Sequence, residues 1–254
     1  MLIAITRELS PGMEHCELSF VPREAIDMEL AYRQHRQYQQ VLADLGCEVI
    51  SLPPEATMPD AVFVEDVALV FDEVAVMTRP GAESRRAEGA SVAAVLKPYR
   101  KIVAIQAPGT LDGGDVLRIG RTVYVGASAR SNPAGIEQLR ALLTGHGYRV
   151  QAVAIRGCLH LKSSVTALTD DTVLVQPEWV DPSVFADFKI IEVDPDEPHA
   201  ANALRAGSGI LYPSCFPKTQ ARLAAAGIVV STVDVSELQK AEGAVTCCSL
   251  VFAA

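Results

Sequence analysis

Five residues suited to chemistry recur at nearly even intervals along this 254-residue chain, and that spacing limits what it can fold into. Asp66, Asp112, His160, Asn202 and Cys247 are separated by 46, 48, 42 and 45 residues. Each sits at or just before the first strand of an apolar hairpin, in the motifs FVEDVALV, TLDGGDVL, HLKSSVTAL, HAANAL and AVTCCSLVF. A period near 45 residues signals a repeat architecture, in which equivalent positions share one face. Two acids, an imidazole and a thiol would then converge, as covalent catalysis requires.

The intervening segments follow the same repeat. Pro22 in a first turn and Gly46 beyond the end bracket a helix over residues 22–45, with Ile26, Leu30, Val41, Leu42 and Leu45 on one apolar face. EVISL predicts a strand, AVFVEDVALV and VAVMTR a hairpin, Ser84 the cap of a helix ending before Pro98, and KIVAIQ another strand. The unit then recurs: DVLRI and TVYVGA form a hairpin, Asn132 caps a helix begun by Pro133 and ended near Gly145, and RVQAVAI follows. SVTAL, TVLVQ, a short helix from Pro182 and KIIEV make the next unit. HAANALRAGSGILYP, a helix over residues 218–226 and IVVSTVDV make another. The last strand, AVTCCSLVF, has no partner downstream, and LIAIT at the N-terminus is the spare one. Outer strands begin near Glu48, Lys101, Arg149, Lys189 and Ile228, at intervals of 53, 48, 40 and 39 residues. The expectation is one α/β domain over residues 1–254: five helix–strand–hairpin units in a ring, joined by pairing of the N- and C-terminal strands. A doubly wound α/β sheet also suits alternating strands and helices.

Charge narrows the partners. Twenty-two basic residues against 31 acidic ones give a net charge of −9 and a pI near 5.1. No Lys/Arg run offers a track for phosphates, which argues against nucleic acid, whereas an acidic surface tolerates a cationic small molecule. The six cysteines include no C-x-x-C pair, and adjacent Cys247 and Cys248 in a strand would face opposite ways. No apolar run has membrane-spanning length, and MLIAITRE meets charge too early for a signal segment. A reduced, soluble, cytoplasmic protein is expected, and a homodimer is compatible with the sequence.

Taken singly, Cys247 reads as a small core residue and His160 as a histidine bonded to a carbonyl. Their shared place in the repeat raises both, since a thiolate needs an imidazole within reach and the imidazole needs an orienting partner. Asp112 fits that partner, or equally a turn aspartate before two glycines. Asp60, Glu65 and Asp66 enter an apolar run, where acids are costly unless paired. Arginines such as Arg79, Arg85 and Arg86 could pair them, or they could surround a cationic ligand.

The motifs PDAVFVEDVALV, TRPGAESRR, TLDGGDVL, GASARSN, LHLKS, AAN and EGAVTCCSLVF, in order over residues 60–251, resemble those of the dimethylarginine dimethylaminohydrolases. Those enzymes belong to the guanidino-group-modifying (pentein) superfamily, built on a five-bladed α/β propeller. The resemblance implies Cys247 as nucleophile, His160 as general acid and base, and Asp112 as the carboxylate beside the histidine; Cys248 would be structural. It further implies that Asp60, Phe63, Glu65 and Asp66 surround the guanidinium and polar groups of the substrate, and that Arg85 and Arg130 hold its carboxylate. Leu18, in a lid over residues 10–20, and Ala241 would contribute backbone contacts, Ala241 being smaller than the residue usual at its position.

The activity so implied is hydrolysis of asymmetric dimethylarginine or monomethylarginine to citrulline and dimethylamine or methylamine, with no metal or organic cofactor. A soft metal ion bound by Cys247 and His160 would inhibit. An arginine deiminase would use the same groups on unmodified arginine, although such enzymes and the amidinotransferases are longer. A non-catalytic propeller, such as a ribosome anti-association factor, would have no use for Cys247, His160 and the acids together.

Overall fold

Short apolar runs separated by tight turns form hairpins, and a crossover long enough to hold a helix brings a third strand alongside in parallel. A computed structural model describes all residues, 1–254, and contains five three-stranded sheets built this way. Leu2–Arg7 pairs antiparallel with Leu250–Ala253 and parallel with Cys47–Leu52. The second sheet joins Ala68–Val70, Val74–Met77 and Lys101–Ala104, and the third joins Val116–Ile119, Thr122–Ala127 and Arg149–Ala154. The fourth holds Val165–Ala167, Thr172–Val175 and Lys189–Glu192, the fifth Leu204–Ala206, Gly209–Pro213 and Ser231–Val233. The two spare strands of the sequence do pair, with Ile3 opposite Phe252 and Ile5 opposite Leu250.

The crossovers are the helices Met28–Asp44, Gly89–Leu96, Pro133–Thr144 and Pro217–Ala225, plus the 3-10 turn Pro182–Phe185. Asn132 caps the third of these helices as expected: its Oδ1 accepts from Gly135 N at 2.8 Å, and Pro133 follows at the first helical position. The same oxygen accepts from Thr110 N at 3.0 Å, so the cap also anchors the loop before Asp112. The core lies between sheets and helices in five apolar clusters. One of them unites Tyr38 and Leu42 of the first helix with Leu211, Val233 and Val245, and so backs the segment that carries Cys247.

Three local expectations are corrected. The first helix starts at Met28, not Pro22, because Asp27 accepts from Leu30 N at 3.0 Å and caps it there. Its buried face is Ala31, Gln34, His35, Tyr38 and Leu42, and the polar Gln34 fits because it bonds Ser236 Oγ and Glu237 N. Ser84 caps nothing; its hydroxyl donates to Glu17 Oε1 at 2.6 Å, and the helix starts at Gly89. FVED and VTCC are not strand. Val64–Val67 forms a 3-10 turn, and Cys247 lies in a turn three residues before its strand. These turns carry the polar residues inward while the strands that follow remain apolar.

Replacing Asn132 by Ala removes a cap and a loop anchor together. We expect a loss of about 1–2 kcal/mol in urea unfolding, with the denaturant slope unchanged.

Candidate active site

Four of the five repeat positions fall in turns that precede the first strand of a sheet by two to five residues, and the fifth, Asn202, precedes Leu204 in the same way. Polar bonds run from each turn to the next. Asp66 Oδ1 accepts from Gly114 N at 3.0 Å, and His160 Nε2 meets Asp112 Oδ2 at 3.1 Å. Asn202 Nδ2 donates to Lys162 O at 3.0 Å, and its Oδ1 accepts from Thr246 N at 3.0 Å. Glu65 closes the series: its N donates to Cys247 O at 3.1 Å, and its Oε2 accepts from Thr246 Oγ1 at 2.8 Å.

The TLDGGD motif is explained by this convergence. A Cβ on Gly113 would collide with the carbonyl of Glu65, and one on Gly114 would sit 2.5 Å from His160 Nδ1. Both positions therefore need glycine. Asp112, fully buried, accepts from Gly81 N at 2.8 Å through Oδ1 and faces His160 with Oδ2. Asp115, also fully buried, accepts from Leu161 N at 3.0 Å and from the hydroxyls of Ser128 and Ser131, which fixes the backbone beside His160.

A cavity of about 20 Å³ is lined by Asp60, Phe63, Asp66, Arg85, Arg130, His160, Ala241 and Cys247, all expected from the sequence, and by Glu17, Leu159 and Glu242. Three expected residues stand outside this wall. Asp112 lies behind His160, whose ring it bonds. Glu65 turns from the cavity toward Lys162 and Thr246 and borders a separate channel of about 450 Å³. Leu18 is not part of the wall; its neighbour Glu17 is, and Leu18 packs on the apolar cluster beneath.

Arg85 answers the question of pairing against pocket with both. Its Nη1 reaches Asp66 Oδ2 at 2.7 Å, its Nη2 reaches Glu88 Oε2 at 2.9 Å, and Nη2 also donates to the carbonyls of Asp60 and Phe63. All three charged groups are almost fully buried. Glu88 escaped the sequence reading because nothing in ESRRAEG separates it from a surface acid. Arg130 is less enclosed, with Nη1 3.7 Å from Asp112 Oδ2 and Nη2 bonded to Ser19 Oγ at 3.3 Å.

Electrostatics assign protons. Burial lowers the affinity of His160 for a proton, but Asp66, Asp112 and Asp115 together outweigh it and raise its pKa to about 9. Burial opposes ionisation of Asp66, yet His160 and Arg85 hold it below the usual carboxylate range. Burial, with Glu65 and Asp66 nearby, pushes the Cys247 thiol up to about 12. These shifts favour an imidazolium beside a neutral thiol at neutral pH. One ligand atom each from Asp66, Asp112 and His160 lies within 4.8 Å of the others, a metal-compatible triad. Every carboxylate oxygen of that triad already accepts a bond, from Gly114 N, Arg85, Gly81 N or His160, so a metal would have to displace these partners. No helix is long and apolar enough to cross a membrane.

The loop over residues 14–23 covers the cavity. Both oxygens of Asp60 accept from Glu17 N, at 3.2 and 3.1 Å, and Glu242 Oε1 accepts from Ser19 N and Val21 N at 2.9 Å and from Phe20 N. A 20 Å³ space holds about one water molecule, far less than an amino acid fills.

The chain is similar to several known proteins. The sequence model of the arginine deiminase family matches residues 56–206. The chain is 45% identical over 249 residues to an N(G),N(G)-dimethylarginine dimethylaminohydrolase of Streptomyces coelicolor, covering 97% of this chain and 95% of that protein. It is 37% identical over 228 residues to the enzyme of that name from Pseudomonas aeruginosa, covering 89% and 90%. The solved structure of the Pseudomonas aeruginosa enzyme with citrulline superposes with a TM-score of 0.93 at 35% identity, covering 98% of each chain. A dimethylarginine dimethylaminohydrolase carrying an S-methyl-L-thiocitrulline adduct gives 0.94 at 35% identity, over 99% and 100%. The chain has the five-bladed α/β propeller fold of these enzymes and belongs to the dimethylarginine dimethylaminohydrolase family.

Proposed function

We propose that this protein is a cysteine hydrolase that converts Nω-methylated arginines to citrulline and the corresponding methylamine. The observation that carries this reading is one small cavity walled by a thiol, a carboxylate-held imidazole and four carboxylates against two arginines, in a chain of this family. Asymmetric dimethylarginine is a cation with an ammonium, a carboxylate and a guanidinium, and the cavity offers complements to each: Asp60 and Asp66 for the positive groups, Arg85 and Arg130 for the negative one.

In this reading the guanidinium offsets the field of Glu65 and Asp66, which adds to burial in keeping Cys247 protonated, so binding favours release of the thiol proton to solvent. The thiolate attacks the guanidinium carbon. His160, as imidazolium, gives its proton to dimethylamine as the C–N bond breaks, since an amide-like anion is too poor a leaving group. Water then adds to the S-alkylthiouronium carbon and passes a proton to the now neutral His160. The C–S bond breaks as the hydroxyl proton passes to solvent, returning the Cys247 thiolate and leaving citrulline. Asp112 fixes the ring and its charge throughout. An arginine deiminase would follow the same steps with ammonia as leaving group, and the amine released tells the two apart.

Incubation with dimethylarginine, monomethylarginine and arginine should yield citrulline with dimethylamine or methylamine from the first two and little ammonia from the third. Cys247→Ser and His160→Ala should lose turnover by at least about a thousandfold with an unchanged circular dichroism spectrum. Normal activity in either folded variant would remove it from the reaction.

Arg85→Ala should lose stability as well as binding. It leaves Asp66 and Glu88 buried without their partner, a change that costs about 3–5 kcal/mol in other proteins. Arg130→Ala should act mainly on KM. Equal urea midpoints for Arg85→Ala and the parent would show that the pair adds nothing to folding.

His160 gives a pH dependence of stability with a definite sign. Its folded pKa, about 9, lies above the ordinary imidazole value, so its contribution is complete below about pH 6.5 and disappears as pH rises through 9. The parent should lose unfolding free energy over that range relative to His160→Gln, measured by urea titration at successive pH values. Parallel curves would contradict the raised pKa.

A further inference from the structure

Glu242 is the one wall residue of the cavity that holds a left-handed backbone conformation, with φ at +57°. Glycine adopts that conformation without strain, so the backbone gives no reason for a glutamate there; the reason lies in the side chain. One carboxylate oxygen, Oε1, accepts from three successive backbone N–H groups of the covering loop, at Ser19, Phe20 and Val21. The other, Oε2, is buried and has no hydrogen-bond partner. A buried carboxylate oxygen without a donor is unfavourable, and the remedy is a donor brought by something that occupies the cavity.

The neighbours decide what kind of donor. Glu17, Asp60, Asp66 and Glu242 put four carboxylates on the wall against two arginines, and Arg85 is already paired with Asp66 and Glu88. Asp60, the other acid that touches the loop, binds Glu17 N through both oxygens. Glu242 and Asp60 thus hold the loop at two points while both face the cavity. A primary ammonium has three N–H donors and, in a space closed to water, needs carboxylate acceptors arranged around it.

We propose that Glu242 reads the α-ammonium group of the substrate through Oε2 while Oε1 holds the loop, so that loop closure and recognition of the amino-acid end share one carboxylate. The inference rests on the proposed reaction and adds a specificity-determining residue to it. Loop and ligand compete for nothing at Glu242, because each takes a different oxygen. Closure over an occupied cavity is therefore favoured over closure on an empty one, and a guanidine without the amino group closes the loop less well.

The test compares dimethylarginine with its deamino analogue, 5-(N′,N′-dimethylguanidino)pentanoate, in the parent, Glu242→Gln and Glu242→Ala, following citrulline or the matching urea product and dimethylamine. The parent should prefer dimethylarginine. Glu242→Gln keeps an acceptor for the loop but puts an NH2 where Oε2 stood, so kcat/KM on dimethylarginine should fall at least about tenfold, through KM. On the deamino analogue the same variant should change less than about twofold. Glu242→Ala should lose activity on both substrates by releasing the loop, with the preference for the amino group also gone. Equal losses on the two substrates in both variants would overturn ammonium recognition and leave Glu242 a loop anchor only. Should Glu242→Gln not fold, an Ala variant that retains the parent's full preference for the amino group overturns it equally. A parent inactive on both substrates would instead defeat the proposed reaction, and this inference with it.

Discussion

The chemistry of this site depends on polar bonds that pass between five turns distant in sequence. Each turn alone is a few residues of irregular backbone. Linked through Asp66 to Gly114 N, Asp112 to His160, Asn202 to Lys162 O and Thr246 N, and Glu65 to Thr246 and Cys247 O, they form one rigid frame. Asp66 is the most connected member, since it also pairs with Arg85 and stands 4.0 Å from His160 Nδ1. A carboxylate so placed cannot take a proton cheaply; its charge, with those of Asp112 and Asp115, raises the His160 pKa, and it adds to burial and Glu65 in raising that of Cys247.

That frame also explains why the cavity is small and acidic. Asp60 and Glu242, both on the cavity wall, hold the loop by its backbone N–H groups, and Arg130 reaches Ser19. In the proposed reaction a bound cation would meet the same groups that hold the loop, and fixed carboxylates would orient it toward the thiol at little cost in reorganisation.

The repeat was legible because its signals are local: alternation within strands, two- to four-residue hairpin turns, and the Asn132–Pro133 helix start are written in neighbouring residues. The even spacing of Asp66, Asp112, His160 and Cys247 carried their convergence for the same reason, and the family resemblance supplied Asp60, Arg85 and Arg130. Long-range partners were not legible. Glu242 bonds residues 223 positions away, Ser84 serves Glu17 rather than a helix, and Glu88 is distinguished from a surface acid only by the burial of Arg85. Glu65 shows the limit of motif reading, for it lies in the expected turn yet faces Lys162 and Thr246, acting on the thiol through its field.

Trapping the covalent intermediate tests the account most directly. Mixing the protein with excess dimethylarginine, quenching in acid within the first turnover and measuring peptide masses should find one modified peptide. It should contain Cys247 and carry the mass of dimethylarginine less that of dimethylamine, while the other cysteines stay free. Citrulline formed at full rate with no such adduct at any quench time, in a parent whose Cys247 remains unmodified, would contradict it.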